Sequence, residues 1–138
     1  MQTPIEWQEE YSVGVKELDD QHKNLLNIIN SLLLEKQEKI TGDKLSEIIS
    51  SMVHHAYIHF ATEERYMEQV NFPDLKQHVL EHVSFILKTL ELSLKVKEGE
   101  GTATNQMELL TYLKEWYSSH VLGADRLYVP YLRAKRVT

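Results

Sequence analysis

Two pairs of potential metal ligands stand four residues apart in the middle of the chain, His59 with Glu63 and His78 with His82. At 3.6 residues per helical turn, side chains at positions i and i+4 lie on one helix face, about 6 Å apart along the axis. Imidazole and carboxylate groups at this spacing can bind one metal centre together. The pattern therefore predicts metal binding from two helix faces.

The segment Asn71–Asp74 separates the two pairs and contains Pro73. Proline suits the first turn of a helix and disfavours helical backbone at the residue before it. We therefore expect two consecutive helices joined by a short turn, with one pair of ligands on each. Helices connected in this way can face each other across a common site.

His22 and His120 fall on the apolar stripes of two further predicted helices. A single histidine on such a stripe is more often a hydrogen-bonded core residue than a ligand. Burying five imidazoles and a carboxylate without partners, however, would cost several kcal/mol per unpaired group, and metal binding avoids this cost. Nitrogen-rich ligands suit iron, copper or zinc better than magnesium or calcium.

The set of ligands is too large for one ion, because a closed four-ligand zinc site would leave several histidines unused. We therefore predict a dinuclear site bridged by carboxylates. Iron is the expected metal, by analogy with other carboxylate-bridged helical bundles.

Three further residues are ambiguous from spacing alone. Asp125 follows the last histidine by five residues, about 140° around an ideal helix. Its role stays open, although Gly123 could permit a local distortion of the helix. His55 stands one turn before His59, so an alternative register of ligands exists, whereas His54 is expected at the surface.

Four stretches with helical periodicity would position these ligands. An ordered N-terminal arm is expected over about residues 1–17. Helices are expected over about residues 18–38, 43–70, 73–97 and 105–129. Helices of this length with short connections favour an all-α, antiparallel up-down-up-down four-helix bundle, in one domain that spans residues 1–138.

Local signals give the expected helix ends and one buried face. Asp43 is expected to cap the second helix, and Asn105 to cap the fourth after a polar, flexible connection at Glu98–Thr104. The apolar stripe of the third helix is expected to include Leu90 and Leu94.

Composition narrows the class of protein. The chain has 138 residues, enough for one domain with a core. With 15 Lys+Arg against 21 Asp+Glu, its net charge of -6 would repel nucleic acid and anionic membranes. No apolar run reaches the roughly 18 residues of a membrane span, and no secretory signal is visible at the N-terminus. The absence of cysteine excludes disulfides and thiolate sites and fits a cytoplasmic chain.

Over almost its whole length the chain resembles the hemerythrin family, specifically the single-domain bacterial hemerythrins. All seven ligand positions of the family are filled at the family's spacing. The matching pieces are YSVGV at 11–15, DDQHK at 19–23, HFATE at 59–63, HVLEH at 78–82 and HVLGAD at 120–125. The resemblance selects His59 over His55 and includes Asp125 among the ligands.

The resemblance implies two Fe ions per chain. One iron would be held by His78, His82 and His120, and the other by His22 and His59. One coordination position would stay open on the second iron, where the family binds O2.

Glu63 and Asp125 would bridge the two irons, together with an oxo or hydroxo group. Five residues near the ligands are candidates for the wall of the O2 pocket, and each is equally compatible with ordinary bundle core: Leu25, Phe60, Trp116, Tyr117 and Val121. The hydroxyl of Tyr117 could either stabilise bound O2 or hasten its loss.

We expect a non-haem di-iron protein that binds O2 reversibly for carriage, storage or delivery to an oxygen-consuming enzyme, and that is not itself an enzyme. Ferritin-like di-iron enzymes use Glu-x-x-His pairs, and this sequence contains none. The alternatives are an O2, NO or redox sensor, which normally needs an output module, or an iron-handling protein. A monomer without nucleic-acid partner or membrane insertion is expected.

Overall fold

The structure, a computed structural model, describes residues 4–35, 41–97 and 102–138. Within these ranges the chain is helical and contains no strand. The four main helices are α1 (Lys16–Glu35), α2 (Gly42–Gln69), α3 (Leu75–Lys97) and α4 (Thr102–Trp116). After α4 come a π-helical turn (Tyr117–Val121), a 3-10 turn (Ala124–Tyr128) and α5 (Val129–Ala134). The predicted all-α four-helix bundle is confirmed.

The four helices bury their apolar stripes against one another. Helix α2 contacts α1, α3 and α4, and α4 also contacts α1 and α3. Burial of each large aliphatic side chain contributes roughly 1.5–3 kcal/mol. The buried residues of this core include Leu26, Ile29, Leu45, Ile49, Phe85, Leu109 and Leu113.

A second, smaller core joins the N-terminal arm to the segment after α4. It contains Val13, Val15, Leu18, Met67, Val70, Phe72, Tyr128, Val129 and Leu132. Polar contacts fasten the arm on both sides. Arg126 Nη1 donates a hydrogen bond to the carbonyl of Ser12, and the backbone N–H of Ile5 donates to Asn30 Oδ1 at 2.9 Å. Over its described residues the arm therefore packs on the bundle, as the sequence predicted.

Several predicted helix ends were wrong. Helix α2 is capped by Thr41, whose hydroxyl accepts a hydrogen bond from the backbone N–H of Lys44, so Asp43 lies in the first turn instead. Helix α4 begins at Thr102, which places Asn105 inside the helix. The α-helix expected to continue to residue 129 ends at Trp116, because the backbone changes to π and 3-10 geometry there. The predicted end of helix one near residue 38 and residues 98–101 lie outside the described residues.

The predicted buried stripe of α3 was also partly wrong. Leu90 and Leu94 are 47% and 60% exposed, whereas Thr89 and Leu92 are buried. Helix α3 has apolar residues on two faces, so its hydrophobic pattern does not indicate which face meets the bundle. In the described parts of the chain, no helix is both long and apolar enough to cross a bilayer.

Candidate metal centre

Seven titratable side chains meet inside the bundle, and all are buried. They come from α1, α2, α3, the π-helical turn and the 3-10 turn, whereas α4 and α5 contribute none of the seven. The seven residues are His22, His59, Glu63, His78, His82, His120 and Asp125. These are the residues that the sequence predicted as metal ligands, and the structure brings them together.

The potential ligand atoms form two groups, in each of which all atoms lie within 4.8 Å of one another. The three-histidine group consists of Glu63, His78, His82 and His120. The two-histidine group consists of His22, His59, Glu63 and Asp125. Glu63 belongs to both groups, so the groups are adjacent.

The carboxylate of Glu63 directs one oxygen to each group. Its Oε1 lies 2.6 Å from His78 Nε2 and 3.0 Å from His82 Nε2. Its Oε2 lies 3.2 Å from His59 Nε2 and 3.4 Å from His22 Nε2. A carboxylate oriented in this way can contribute a ligand oxygen to each of two ions.

Asp125 has the same arrangement on another side of the cluster. Its Oδ1 lies 2.9 Å from His78 Nε2 and 3.2 Å from His120 Nε2, on the three-histidine side. Its Oδ2 lies 3.1 Å from His22 Nε2, on the two-histidine side. Both carboxylates therefore stand between the two groups of histidines.

The π-helical turn and Gly123 explain how Asp125 lies on the same side as His120, although an ideal α-helix would place the two residues on different faces. The N–H of Leu122 donates to the carbonyl of Tyr117, five residues earlier, at 3.1 Å. Gly123 then lies against the carbonyl of Ser119, where a β-carbon would collide. Such π turns widen the helix locally and are frequent at functional sites. This change of backbone geometry brings the Asp125 carboxylate within 3.2 Å of His120 Nε2.

The polar atoms at the centre are poorly satisfied by the protein alone. Among the described residues, Nε2 of His22, Nε2 of His59 and both carboxylate oxygens of Asp125 are buried and make no hydrogen bond of good geometry, although they lie within 3.4 Å of one another's groups or of Glu63 and the other histidines. A buried polar group without a partner costs about 1–3 kcal/mol. Metal ions between the two sides would use these atoms as ligands, so the residues fit a metal centre.

Outer carboxylate and amide groups orient the imidazole rings. His59 Nδ1 and Gln21 Oε1 are 2.7 Å apart, and His82 Nδ1 and Glu64 Oε2 are also 2.7 Å apart. Hydrogen bonds of this kind hold the proton on Nδ1 and leave Nε2 free to bind a metal. Sequence reasoning missed these partners, although Gln21 and Glu64 each stand beside a predicted ligand.

Tyr128 is a further contributor that the sequence did not indicate. Its buried hydroxyl donates a hydrogen bond of 3.0 Å to Glu63 Oε2. Burial raises the pKa of Tyr128, and the carboxylates of Glu63 and Asp125 raise it further, so the hydroxyl keeps its proton and stays a donor. In the sequence, its position three residues after Asp125 is a signal that could have pointed to it.

The two carboxylates set the charge of the centre. Burial opposes charged imidazole, but the carboxylates outweigh burial and raise the pKa of His22 and His78 to about 9 and that of His120 to about 10. Burial likewise opposes ionisation of Asp125, yet the histidines hold its pKa well below the usual range. The carboxylates therefore require positive charge nearby, from imidazole protons or from metal ions that displace them.

The five candidates for the pocket wall are all buried: Leu25, Phe60, Trp116, Tyr117 and Val121. Two of them lie against the three-histidine group. The Phe60 ring stacks on His82 with centroids 3.9 Å apart, and Trp116 stacks on His120 at 4.6 Å. The hydroxyl of Tyr117 is buried without a partner among the described residues, and burial raises its pKa.

His54 and His55 lie on the exposed side of α2, with ring centroids 6.1 Å apart. They do not contribute to either group of ligand atoms. His59, one turn after His55, is therefore the residue of this helix that meets Glu63 and the other histidines.

Fold and site together define a helical-bundle protein with a candidate dinuclear centre of histidines and carboxylates. The family model described as the hemerythrin HHE cation binding domain matches residues 13–132. The chain therefore belongs to the hemerythrin family, which confirms the resemblance seen in the sequence.

Individual relatives agree with this assignment. A bacteriohemerythrin of Stenotrophomonas maltophilia is 30% identical over 128 residues, which cover 93% of this chain and 81% of that protein. A bacteriohemerythrin of Clostridium acetobutylicum is 31% identical over 126 residues, 89% of this chain and 97% of that protein. A crystal structure of wild-type hemerythrin has the same fold, with a TM-score of 0.80 at 22% identity over 94% of this chain and 98% of the other.

Proposed function

We propose that this chain is a non-haem di-iron protein that binds O2 reversibly. One observation carries the proposal: Glu63 and Asp125 each direct one oxygen to the three-histidine group and the other to the two-histidine group. Such an arrangement suits two ions that share both carboxylates. Membership of the hemerythrin family supports iron as the metal.

The unequal number of imidazoles defines the role of each group. The three-histidine group would surround its iron more completely, whereas the two-histidine group offers one imidazole fewer and leaves a position for O2. When bound, a di-iron pair supplies the electrons that reversible O2 binding requires. The outer partners Gln21 and Glu64 keep Nε2 of His59 and His82 directed at the metals.

Binding without further chemistry requires that water and proton donors stay away from the open position. Leu25 stands one turn after His22, a member of the two-histidine group, and is buried. We assign it to the wall of the O2 pocket. The Tyr117 hydroxyl is buried without a partner among the described residues, and burial raises its pKa, so it keeps its proton.

We infer a binding protein rather than an enzyme because the ligand set is rich in imidazole and has no Glu-x-x-His pair. We propose that the protein uses this binding to carry or store O2, or to deliver it to an oxygen-consuming enzyme.

The test is anaerobic loading with Fe(II), followed by elemental analysis and visible spectroscopy. We expect about two irons per chain, since the ligands exceed what one ion uses. A colour should appear with O2 and disappear on degassing. A single tightly held iron, or a colourless zinc protein, would contradict the proposal.

A pair of matched variants tests the ligand register. His59→Ala should lose or disorder the iron of the two-histidine group, because Nε2 of His59 lies 3.2 Å from Glu63 Oε2. His55→Ala is the control, since His55 is exposed one turn earlier on the same helix. It should keep the two-iron spectrum, and loss of the spectrum in this variant alone would show that the assigned register is wrong.

A further inference from the structure

Helix α3 carries a second apolar stripe on its exposed side. Its five members are 47–62% exposed, and they follow one another at alternating intervals of three and four residues: Leu80, Val83, Leu87, Leu90 and Leu94. This alternation corresponds to the a and d positions of a heptad, which form the contact line between paired helices. The stripe extends over about 21 Å of helix.

Helix α2 extends this surface with Tyr57, which is 72% exposed. Tyr57, Val83 and Leu87 line a groove of about 360 Å³ between α2 and α3. Tyr57 and Leu90 line a second groove farther along the same two helices. We call Tyr57 and the five leucine and valine residues of α3 the outer seam. It combines a row of projecting side chains with a groove beside it.

The outer seam is almost free of charge, although the chain as a whole carries a net charge of -6. At the a, d, e and g positions between residues 79 and 94, Glu91 is the only charged residue. The nearby Lys88 and Lys95 are both within ion-pair distance of Glu91 and of Glu108. Glu64 lines the first groove and Lys97 the second, so the surface carries isolated charges of both signs. It therefore offers no cluster of positive charge for an anionic membrane and suits a largely uncharged protein surface.

The size of the outer seam matches half of a dimer interface. If a large apolar side chain has roughly 150–200 Å² of surface, the six residues expose roughly 500–700 Å². Stable interfaces bury about 800 Å² per partner, including a polar rim. Ser84 and Ser93, which flank the leucines, and Lys97 at the end of the helix supply that rim. Contiguous apolar patches of this size mark interaction sites.

We propose that the outer seam binds the outer seam of a second copy of this chain. The partner must present an uncharged helix with the same spacing over about 21 Å, and the second copy does so by identity. A two-fold axis near Leu87 would place Leu80 of one copy close to Leu94 of the other, in a self-complementary contact. Each Tyr57 would then cover the edge of the opposite α3. This proposal departs from the monomer expected from the sequence.

Sedimentation of the purified full chain over a range of concentrations tests the proposal. The parent protein should sediment as a dimer at micromolar concentration. Leu87→Glu should sediment as a monomer, because it places two like charges near the two-fold axis. Met107→Glu is the control, since Met107 is an exposed apolar residue of α4 outside the seam, and it should stay dimeric. A monomeric parent protein, or a dimer that Leu87→Glu leaves intact, would overturn the proposal.

Single cysteines give an independent measurement, because the parent chain has none. Leu87→Cys should form a disulfide-linked dimer on mild oxidation, whereas Met107→Cys should not. Circular dichroism of each variant checks that it is folded. If Leu87→Glu fails to fold, Leu94→Lys at the end of the seam replaces it, with the same expected loss of the dimer. Equal cross-linking of Leu87→Cys and Met107→Cys would show that the contact is not specific, and the proposal would fail.

Discussion

Gly123 is the position at which one added methyl group should disturb both the fold and the candidate metal centre. A β-carbon there would collide with the carbonyl oxygen of Ser119 and lie 3.3 Å from its carbonyl carbon. Both are backbone atoms, so no side-chain rotation relieves the collision and the chain itself must move. Overpacking of this kind costs about 1–3 kcal/mol. For a domain of this size, Gly123→Ala should therefore lower the Tm by roughly 3–15 °C.

The same displacement should weaken metal binding, because Asp125 follows two residues later and touches both groups of histidines. Calorimetry of metal-free and iron-loaded protein, with iron content after dialysis against a chelator, measures the two effects. Gly42→Ala is the matched control, since a β-carbon on Gly42 has no heavy atom within 4 Å. It should leave stability unchanged or raise it by about 0.4–1 kcal/mol. A Gly123→Ala protein that melts and retains iron like the parent would refute the reasoning.

Two further predictions concern the polar interior. Tyr128→Phe removes the hydrogen bond to buried Glu63 and should lower the free energy of unfolding in urea by about 1–3 kcal/mol. Tyr66→Phe is the control, because the Tyr66 hydroxyl donates to Glu17 near the surface, and it should lower that free energy by less than half as much. Equal losses in the two variants would contradict the role assigned to Tyr128. Metal-free protein should lose stability as pH rises from about 6.5 to about 10. Protonated histidines with a raised pKa stabilise the folded protein fully below the pKa that they have in the unfolded chain, and this stabilisation is lost as pH rises through their pKa in the folded protein. Iron-loaded protein lacks those protons, so the difference in Tm between the two forms should widen over this range, and a constant difference would count against the buried charge arrangement.

The i, i+4 pairs explain why most of the site could be predicted. His59 with Glu63 and His78 with His82 depend only on regular helix geometry, and their helices have strong apolar periodicity. The structure places both pairs on facing helices, as this geometry requires. The four-helix arrangement followed from the same periodicity and from the short Pro73 turn.

Asp125 shows where side-chain patterns lose their predictive power. Its orientation depends on a backbone hydrogen bond between Leu122 and Tyr117, and on the contact of Gly123 with Ser119. Neither contact produces a periodic pattern of apolar residues in the sequence. Family resemblance included the residue, whereas helical spacing left it open.

Helix α3 shows a second limit of sequence reasoning. Leu90 and Leu94 follow apolar spacing as well as any core residue, yet they are exposed. Periodicity detects an apolar face, but it does not indicate whether that face meets the same domain or another molecule. Two such faces on one helix make the assignment ambiguous until the neighbouring helices are in place.

The order of the ligands along the chain has a consequence for biosynthesis. A ribosome releases the chain from its N-terminus, so helices α1, α2 and α3 are made before Asp125 exists. Until then the two-histidine group lacks one of its two carboxylates, and Glu63 lacks the hydroxyl of Tyr128. A nascent chain can offer a metal only an incomplete set of ligands. For the di-iron function proposed above, the complete set of ligands would therefore exist only after the C-terminal segment has folded.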